Sequence, residues 1–297
     1  TPEARIFIDP GDHGGLPDVV DDFDLDFNAG SDEWMAHVAK DVNLKKFTES
    51  TQVHIMNEPR PNKPLMVLDL DHTLLDFSRK SIEQASNAEA IAAASHSNAS
   101  TTTNTTTTNT TRPATTAQDA IDRMKRPYMD EFLATAYRSY DLVVWSQTSW
   151  RWLETKLIEL GMLTDSRYKF CFVLDKTSMF AITSTKRDGK KVKHAVKPLQ
   201  IIWNKFPQWG PKNTVHLDDL SRNFALNLDN GLKVTAYYRK KSSGKRDTEL
   251  VGLARYLERL AAEVIDFTKV KFSHWVDVLA GKREMVDKNA AEKKEQS

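Results

Sequence analysis

Three short apolar runs in this chain break off into acidic or hydroxyl residues. LMVLDLD (65–71) carries four apolar residues straight into two aspartates, DLVVWSQTS (141–149) ends in Ser and Thr, and NTVHLDD (213–219) ends in a second aspartate pair. Runs of this length predict buried strands. Between them the apolar spacing turns helical. It predicts helices over 126–140, with Pro127 near the first turn, and over 150–163, closed by Gly161. KPLQIIWNKF (197–206) predicts a short helix, and two more follow around 247–263 and 271–286. Residues 169–196 alternate strand-like pieces around a basic turn at Asp188–Gly189, which predicts a β insertion. Upstream, Trp34, Val38, Val42 and Leu44 predict a short helix within 34–47. The stretch 52–64 starts as a possible strand and is halted by Pro59, Pro61 and Pro64. Strands alternating with helices predict an α/β fold with a mainly parallel sheet.

The polar stretches set the boundaries. Residues 1–33 are acidic and rich in Gly and Pro, as in a linker or tail; 34–286 form the domain; 287–297 are a charged tail. Within the domain, residues 85–120 are almost all Ser, Thr, Ala and Asn, and a disordered loop is expected there. Its sequons at Asn98, Asn104 and Asn109 count for little without a secretory signal. The chain starts at Thr1, so a longer parent protein is expected.

Composition narrows the classes. A net charge of +1 over 297 residues gives no whole-protein field for nucleic acid or membrane. A single cysteine, Cys171, excludes an internal disulfide framework and suits a reducing compartment. No apolar run is long enough to span a bilayer. A monomer with no nucleic-acid or membrane partner is expected. The tryptophans are assigned mainly to core or rim packing. The basic runs 186–191 and 239–246 are solvated loops, nuclear-import signals or docking sites for an acidic phosphopeptide.

In parallel α/β sheets, ligands bind beyond the carboxyl ends of the strands. Those ends carry Asp69 and Asp71, then Ser146 and Thr148, then Asp218 and Asp219, and Lys197 follows the insertion. Neighbouring carboxylates repel, so this arrangement calls for a partner. Four carboxylates without a His or Cys cluster suit a hard cation, Mg²⁺ first. A cation, a lysine and a hydroxyl together make a phosphoryl-binding set. A carboxylate can act as covalent nucleophile, and a second one two residues on can move the proton. Two blander assignments stay open: an N-cap for one of Asp218 and Asp219, and a helix cap for Thr148.

D-x-D-x-T at 69–73, VVWS at 143–146, KPL at 197–199 and LDD at 217–219 resemble, in order, the four motifs of the haloacid dehalogenase superfamily. The DLDHTL form resembles its carboxy-terminal-domain (CTD) phosphatase branch. The stretches RPYMDEFL, NTVHLDDLSRNFALNLDNGLKV and HWVDVL resemble the subgroup that also carries a ubiquitin-like domain. The resemblance implies a Rossmann-like haloacid dehalogenase fold and a Mg²⁺-dependent phosphatase of phosphoserine and phosphothreonine. It also implies action on the 26S proteasome in the nucleus, with the RNA polymerase II repeat domain or a small molecule as alternative substrates. It makes Asp69 nucleophile and metal ligand, and Asp71 general acid/base with its carbonyl on the metal. Asp219, with Asp218, holds Mg²⁺. Ser146 binds the phosphoryl group, a role Thr148 can share; Lys197 neutralises charge, and Thr73 braces the loop. A dehalogenase has no leaving group to protonate, which leaves Asp71 without a task. A receiver-type switch places its lysine last, whereas Lys197 precedes the final acidic pair.

Overall fold

The structure, a computed structural model, describes residues 41–97, 116–185 and 191–286. Five parallel strands form the central sheet: β1 (Leu65–Leu68), β2 (Asp141–Trp145), β3 (Phe170–Leu174), β6 (Thr214–Asp218) and β7 (Gly231–Lys233), in the order β3-β2-β1-β6-β7. A separate antiparallel hairpin pairs β4 (Phe180–Thr185) with β5 (Lys191–Val196). The helices are α1 (Asp41–Ser50), α2 (Arg79–Ser97), α3 (Ala117–Asp122), α4 (Met129–Ser139), α5 (Trp150–Glu159), α6 (Gln200–Lys205), α7 (Glu249–Glu263) and α8 (Trp275–Leu279).

β1, β2, β3 and β6 are buried at every position because both faces of the sheet are covered. Alternate residues serve opposite cores. Met66 and Leu68 of β1 join Leu142 and Val144 of β2 and pack under α4, α5 and α7. Leu65 and Val67 join Val143 and Trp145 and pack under α6, with Leu44 and Phe47 of α1 closing the edge. Chain order reverses at β1, which pairs with β2 on one side and β6 on the other. That junction is the switch point where an α/β sheet opens a crevice for ligand.

The expected β insertion over 169–196 is narrower than its sequence suggests. Phe170–Leu174 lies in the main sheet, parallel to β2, and only the β4–β5 hairpin stands apart. FCFVL is buried throughout, so it belongs to the core. The possible strand in 52–64 does not form. Pro59, Pro61 and Pro64 lack the N–H a ladder needs. The segment is fixed instead by Arg60, whose Nε donates to Asp141 Oδ1 at 2.8 Å, and by the Met56 N–H on the Cys171 carbonyl at 2.7 Å.

The disordered loop expected over 85–120 is also corrected at both ends. α2 runs through Ser97, and α3 resumes at Ala117 with a capping box between Thr116 and Asp119. The Ala-rich AEAIAAAS needs no bulk to be helical, since alanine has the highest helix propensity. The middle of that tract with its sequons, residues 1–40, the turn at 186–190 and the tail 287–297 lie outside the described residues. No helix among the described residues is long and apolar enough to cross a membrane.

Gly231 opens β7 under the Phe224 ring, and a Cβ there would sit 2.4 Å from that ring. Gly231→Ala should therefore lower stability by about 1–3 kcal/mol through overpacking, read as the shift in the urea midpoint at constant m-value.

Candidate active site

Strand pairing assembles the site. Leu68 lies opposite Leu217 in the β1–β6 register, so Asp69 and Asp218 emerge side by side one residue later. The Asp69 N–H donates to the Leu217 carbonyl at 2.9 Å. Ser146, one residue past β2, donates its N–H to the Leu174 carbonyl at 3.0 Å. Lys197 follows β5, and its buried ammonium reaches between two strand ends, 2.5 Å from Asp69 Oδ1 and 2.6 Å from Asp218 Oδ2. Asp69, Asp218 and Asp219 each bring a carboxylate oxygen within 4.8 Å of the others, and all three are buried.

Seven of the eight residues singled out in the sequence line this end of the sheet directly, and the eighth braces it. Ser146 and Thr148 share a hydroxyl pair at 2.9 Å, and the Thr148 N–H donates to Ser146 Oγ at 3.2 Å. Thr148 is not the helix cap: α5 starts after Ser149, and its first N–H, of Trp150, is taken by Asp175 Oδ2 at 2.8 Å. Neither Asp218 nor Asp219 is an N-cap, because Leu220 holds that place before the following 3₁₀ turn. Thr73 is fully buried and braces from behind. Its Oγ1 accepts from the Asp219 N–H at 3.1 Å and lies 3.5 Å from Asp219 Oδ1. Asp71 is outside that cluster of three, and both its oxygens take Lys156 Nζ, at 2.7 and 2.5 Å.

The connecting loop is strained at one residue. His72, between Asp71 and Thr73, has φ +63°. Non-glycine residues adopt that region only when their surroundings hold them there. Here the His72 N–H donates to the Leu75 carbonyl, the Tyr237 N–H donates to the His72 carbonyl at 2.6 Å, and the imidazole packs on Tyr238.

Electrostatics separate the carboxylates. Burial pushes the Asp69 carboxyl well above the usual carboxylate range; Lys197 opposes this, while Asp218, Asp219 and Asp71 add repulsion. Burial works the same way on Asp218, but Lys197 and His216 together outweigh it and hold that carboxyl low. Asn223 Nδ2 and the Leu220 N–H also donate to Asp218, at 2.8 and 2.9 Å. Burial alone would lower the Lys197 pKa, yet Asp218 and Asp69 raise it and keep the ammonium charged. His216 stays neutral because burial depresses its pKa. Its Nε2 lies 3.5 Å from Asp218 Oδ2, an ion-pair distance but without a hydrogen bond.

Burial and three neighbouring carboxylates act against the charge on Asp69, and Lys197 opposes them. Three buried carboxylate oxygens within a few ångströms are the donor set of a hard divalent cation, and Mg²⁺ fits it. Asp69 meets Lys197 through Oδ1, and Asp219 meets Thr73 through Oδ1. Asp218 is engaged by Lys197, Asn223 and Leu220.

Sequence reasoning passed over Lys156, Asn223 and Arg126. Lys156 sat in view, at the buried position of a helical stripe that otherwise reads Leu153, Leu157, Leu160. Arg126 is fully buried; its Nη1 donates to the Thr73 carbonyl at 3.0 Å and its Nη2 to Asp247 and Glu249 at 2.9 and 2.6 Å. It ties the back of the Asp69–Thr73 loop to the start of α7. Arg126→Met leaves two carboxylates without their partner and should cost about 3–5 kcal/mol, measured by denaturant unfolding.

Three comparisons bear on the site. Residues 64–268 match the family model described as NLI interacting factor-like phosphatase. A Xenopus laevis protein named Ubiquitin-like domain-containing CTD phosphatase 1 is 34% identical over 270 residues, 90% of this chain and 70% of that protein. The Homo sapiens protein of the same name is 33% identical over the same shares. A solved structure titled as that of Fcp1, an essential RNA polymerase II CTD phosphatase, has a TM-score of 0.38 and 12% identity, covering 84% of this chain and 71% of that one.

Proposed function

We infer the reaction from one premise: the chain belongs to the NLI interacting factor-like phosphatase family. It is a phosphatase. We propose that it hydrolyses phosphoserine and phosphothreonine in proteins through a phosphoaspartate. The observation that supports this best is the buried Lys197 ammonium held between Asp69 and Asp218 at the switch point of the sheet.

Asp69 attacks phosphorus, forming the acyl phosphate as the P–O bond to the seryl oxygen breaks. Asp71 gives its proton to that leaving oxygen. Water then attacks phosphorus and passes a proton to Asp71, the bond to Asp69 breaks, and inorganic phosphate leaves. Ser146 and Thr148 present hydroxyls to the phosphoryl oxygens, and Lys197 offsets their charge while orienting Asp69. Asp69, Asp219 and the Asp71 carbonyl, together with Asp218, would hold Mg²⁺, which would supply charge stabilisation to the phosphoryl group.

The test is phosphate release from a phosphoserine peptide and an aryl phosphate, with Mg²⁺ and then with EDTA. Release that stops with EDTA and returns with excess Mg²⁺ is expected; no release under any condition overturns the proposal. A proton on Asp69 competes with the metal, so Mg²⁺ affinity, read by thermal shift, should fall as pH is lowered.

The sequence resemblance carries the finer assignment: the 26S proteasome in the nucleus as substrate. The name shared by the relatives favours the alternative, the phosphorylated repeat domain of RNA polymerase II. Equal enzyme on each phosphorylated substrate decides between them by kcat/KM.

A further inference from the structure

We propose that Lys156 is a positioning residue for the proton-transfer step: it holds the Asp71 carboxylate in the orientation from which the leaving oxygen is protonated. The proposal rests on the phosphatase reading above.

A lysine facing the core of a helix is costly, since its ammonium leaves water and its stem fills an apolar slot. Lys156 nonetheless sits on the inner face of α5 between Leu153 and Leu157, with its side chain 7% exposed. Its ammonium ends on both oxygens of Asp71, whose own side chain is 34% exposed. When Asp71 carries the proton it gives to the leaving oxygen, one carboxyl oxygen holds that proton and the other keeps the Lys156 contact, so the group stays oriented. Without that contact Asp71 would be a half-exposed side chain on a loop, free to sample several rotamers.

The helix that carries Lys156 matters as much as the contact. α5 begins directly after the segment 146–149, which carries the Ser146–Thr148 hydroxyl pair. Its buried leucines lock it to the sheet. The phosphate-binding hydroxyls and the grip on Asp71 therefore ride on one rigid element. A phosphate seated against Ser146 has its leaving oxygen in a fixed relation to the held carboxylate. Proton transfer depends steeply on such alignment.

Lys156 acts on the substrate only through Asp71, so its signature is dependence on the leaving group. Steady-state kinetics of the full chain with Mg²⁺ should be measured for wild type, K156M and K156R. One substrate is a phosphoserine peptide, whose alkoxide needs the proton; the other is 2,4-dinitrophenyl phosphate, whose leaving group does not. For K156M, kcat on the peptide should fall by about tenfold or more, on the aryl ester by less than about twofold, with KM nearly unchanged. K156R, which can still give two parallel donors, should recover most of the peptide activity. Near-normal aryl turnover by K156M also certifies that the variant is folded. Equal losses on both substrates, no loss on either, or K156R no better than K156M would overturn the positioning role. If wild type hydrolyses neither substrate, the phosphatase reading itself fails and takes this proposal with it.

Discussion

Asp69→Asn is expected to end phosphate release, lowering kcat by more than about 10⁴-fold, while leaving the fold intact. The amide is isosteric, so the β1 end and its N–H bond to Leu217 persist. What disappears is the carboxylate proposed to form the acyl phosphate, since a carboxamide oxygen is a far weaker nucleophile than a carboxylate. Stability should move the other way. Asp69 is buried beside Asp218, Asp219 and Asp71, and its pKa is raised first by that burial and then by those neighbours. Below its raised pKa the native carboxyl is already largely neutral, so the amide changes little; above it the amide removes a strained charge, and the variant's melting temperature should equal or exceed that of wild type. A malachite-green assay beside a thermal melt, both without and with Mg²⁺, reads both effects. Activity within tenfold of wild type would sink the nucleophile assignment.

Lys197→Met carries the second large effect, on stability and catalysis together. The ammonium is the shared partner of two buried carboxylates at 2.5 and 2.6 Å. Methionine fills much of the same volume and removes the charge. Leaving buried carboxylates uncompensated costs about 3–5 kcal/mol, or on the order of 10 °C in Tm for a domain of this size. The loss should shrink when Mg²⁺ is added, because the cation replaces part of the missing charge and binds the native state alone. Wild type should gain less from the same addition. Phosphate release should remain low even with Mg²⁺, since Lys197 also orients Asp69. A variant as stable as wild type without metal would show that Asp69 and Asp218 do not depend on this ammonium.

Strand ends were the most legible part of the molecule. LMVLDLD, VVWSQTS and TVHLDD each placed an apolar run and its polar terminus in the same few residues, so β1, β2 and β6 and most of the site could be read together. β3 was harder. FCFVL reads as an ordinary short strand, and only the fold tells whether it joins β2 or the hairpin that follows. α2 was masked by its setting, because AEAIAAAS shades into a Thr tract and lacks the bulky periodicity that announces a helix. Lys156 and Arg126 are the instructive omissions. Lys156 is a cation on a helix face otherwise given to Leu, Arg126 precedes α4 outside any helix or strand, and pattern reading treats a charged residue as surface. Their partners lie 85 and 121 residues away, a relation no local window contains.

The contacts that make the site are long in sequence. Lys197 meets Asp69 across 128 residues, and Thr73 meets Asp219 across 146. During synthesis, then, the nucleophile leaves the ribosome long before any of its partners exist. β1 must wait for β6, and until the two pair, Asp69 and Asp71 are ordinary solvated acids with no phosphoryl pocket around them. Non-local parallel pairing of this kind is slow to form. A nascent or partly folded chain therefore has no means of stripping phosphate from its surroundings, and the enzyme gains its reactivity only as the last step of becoming itself.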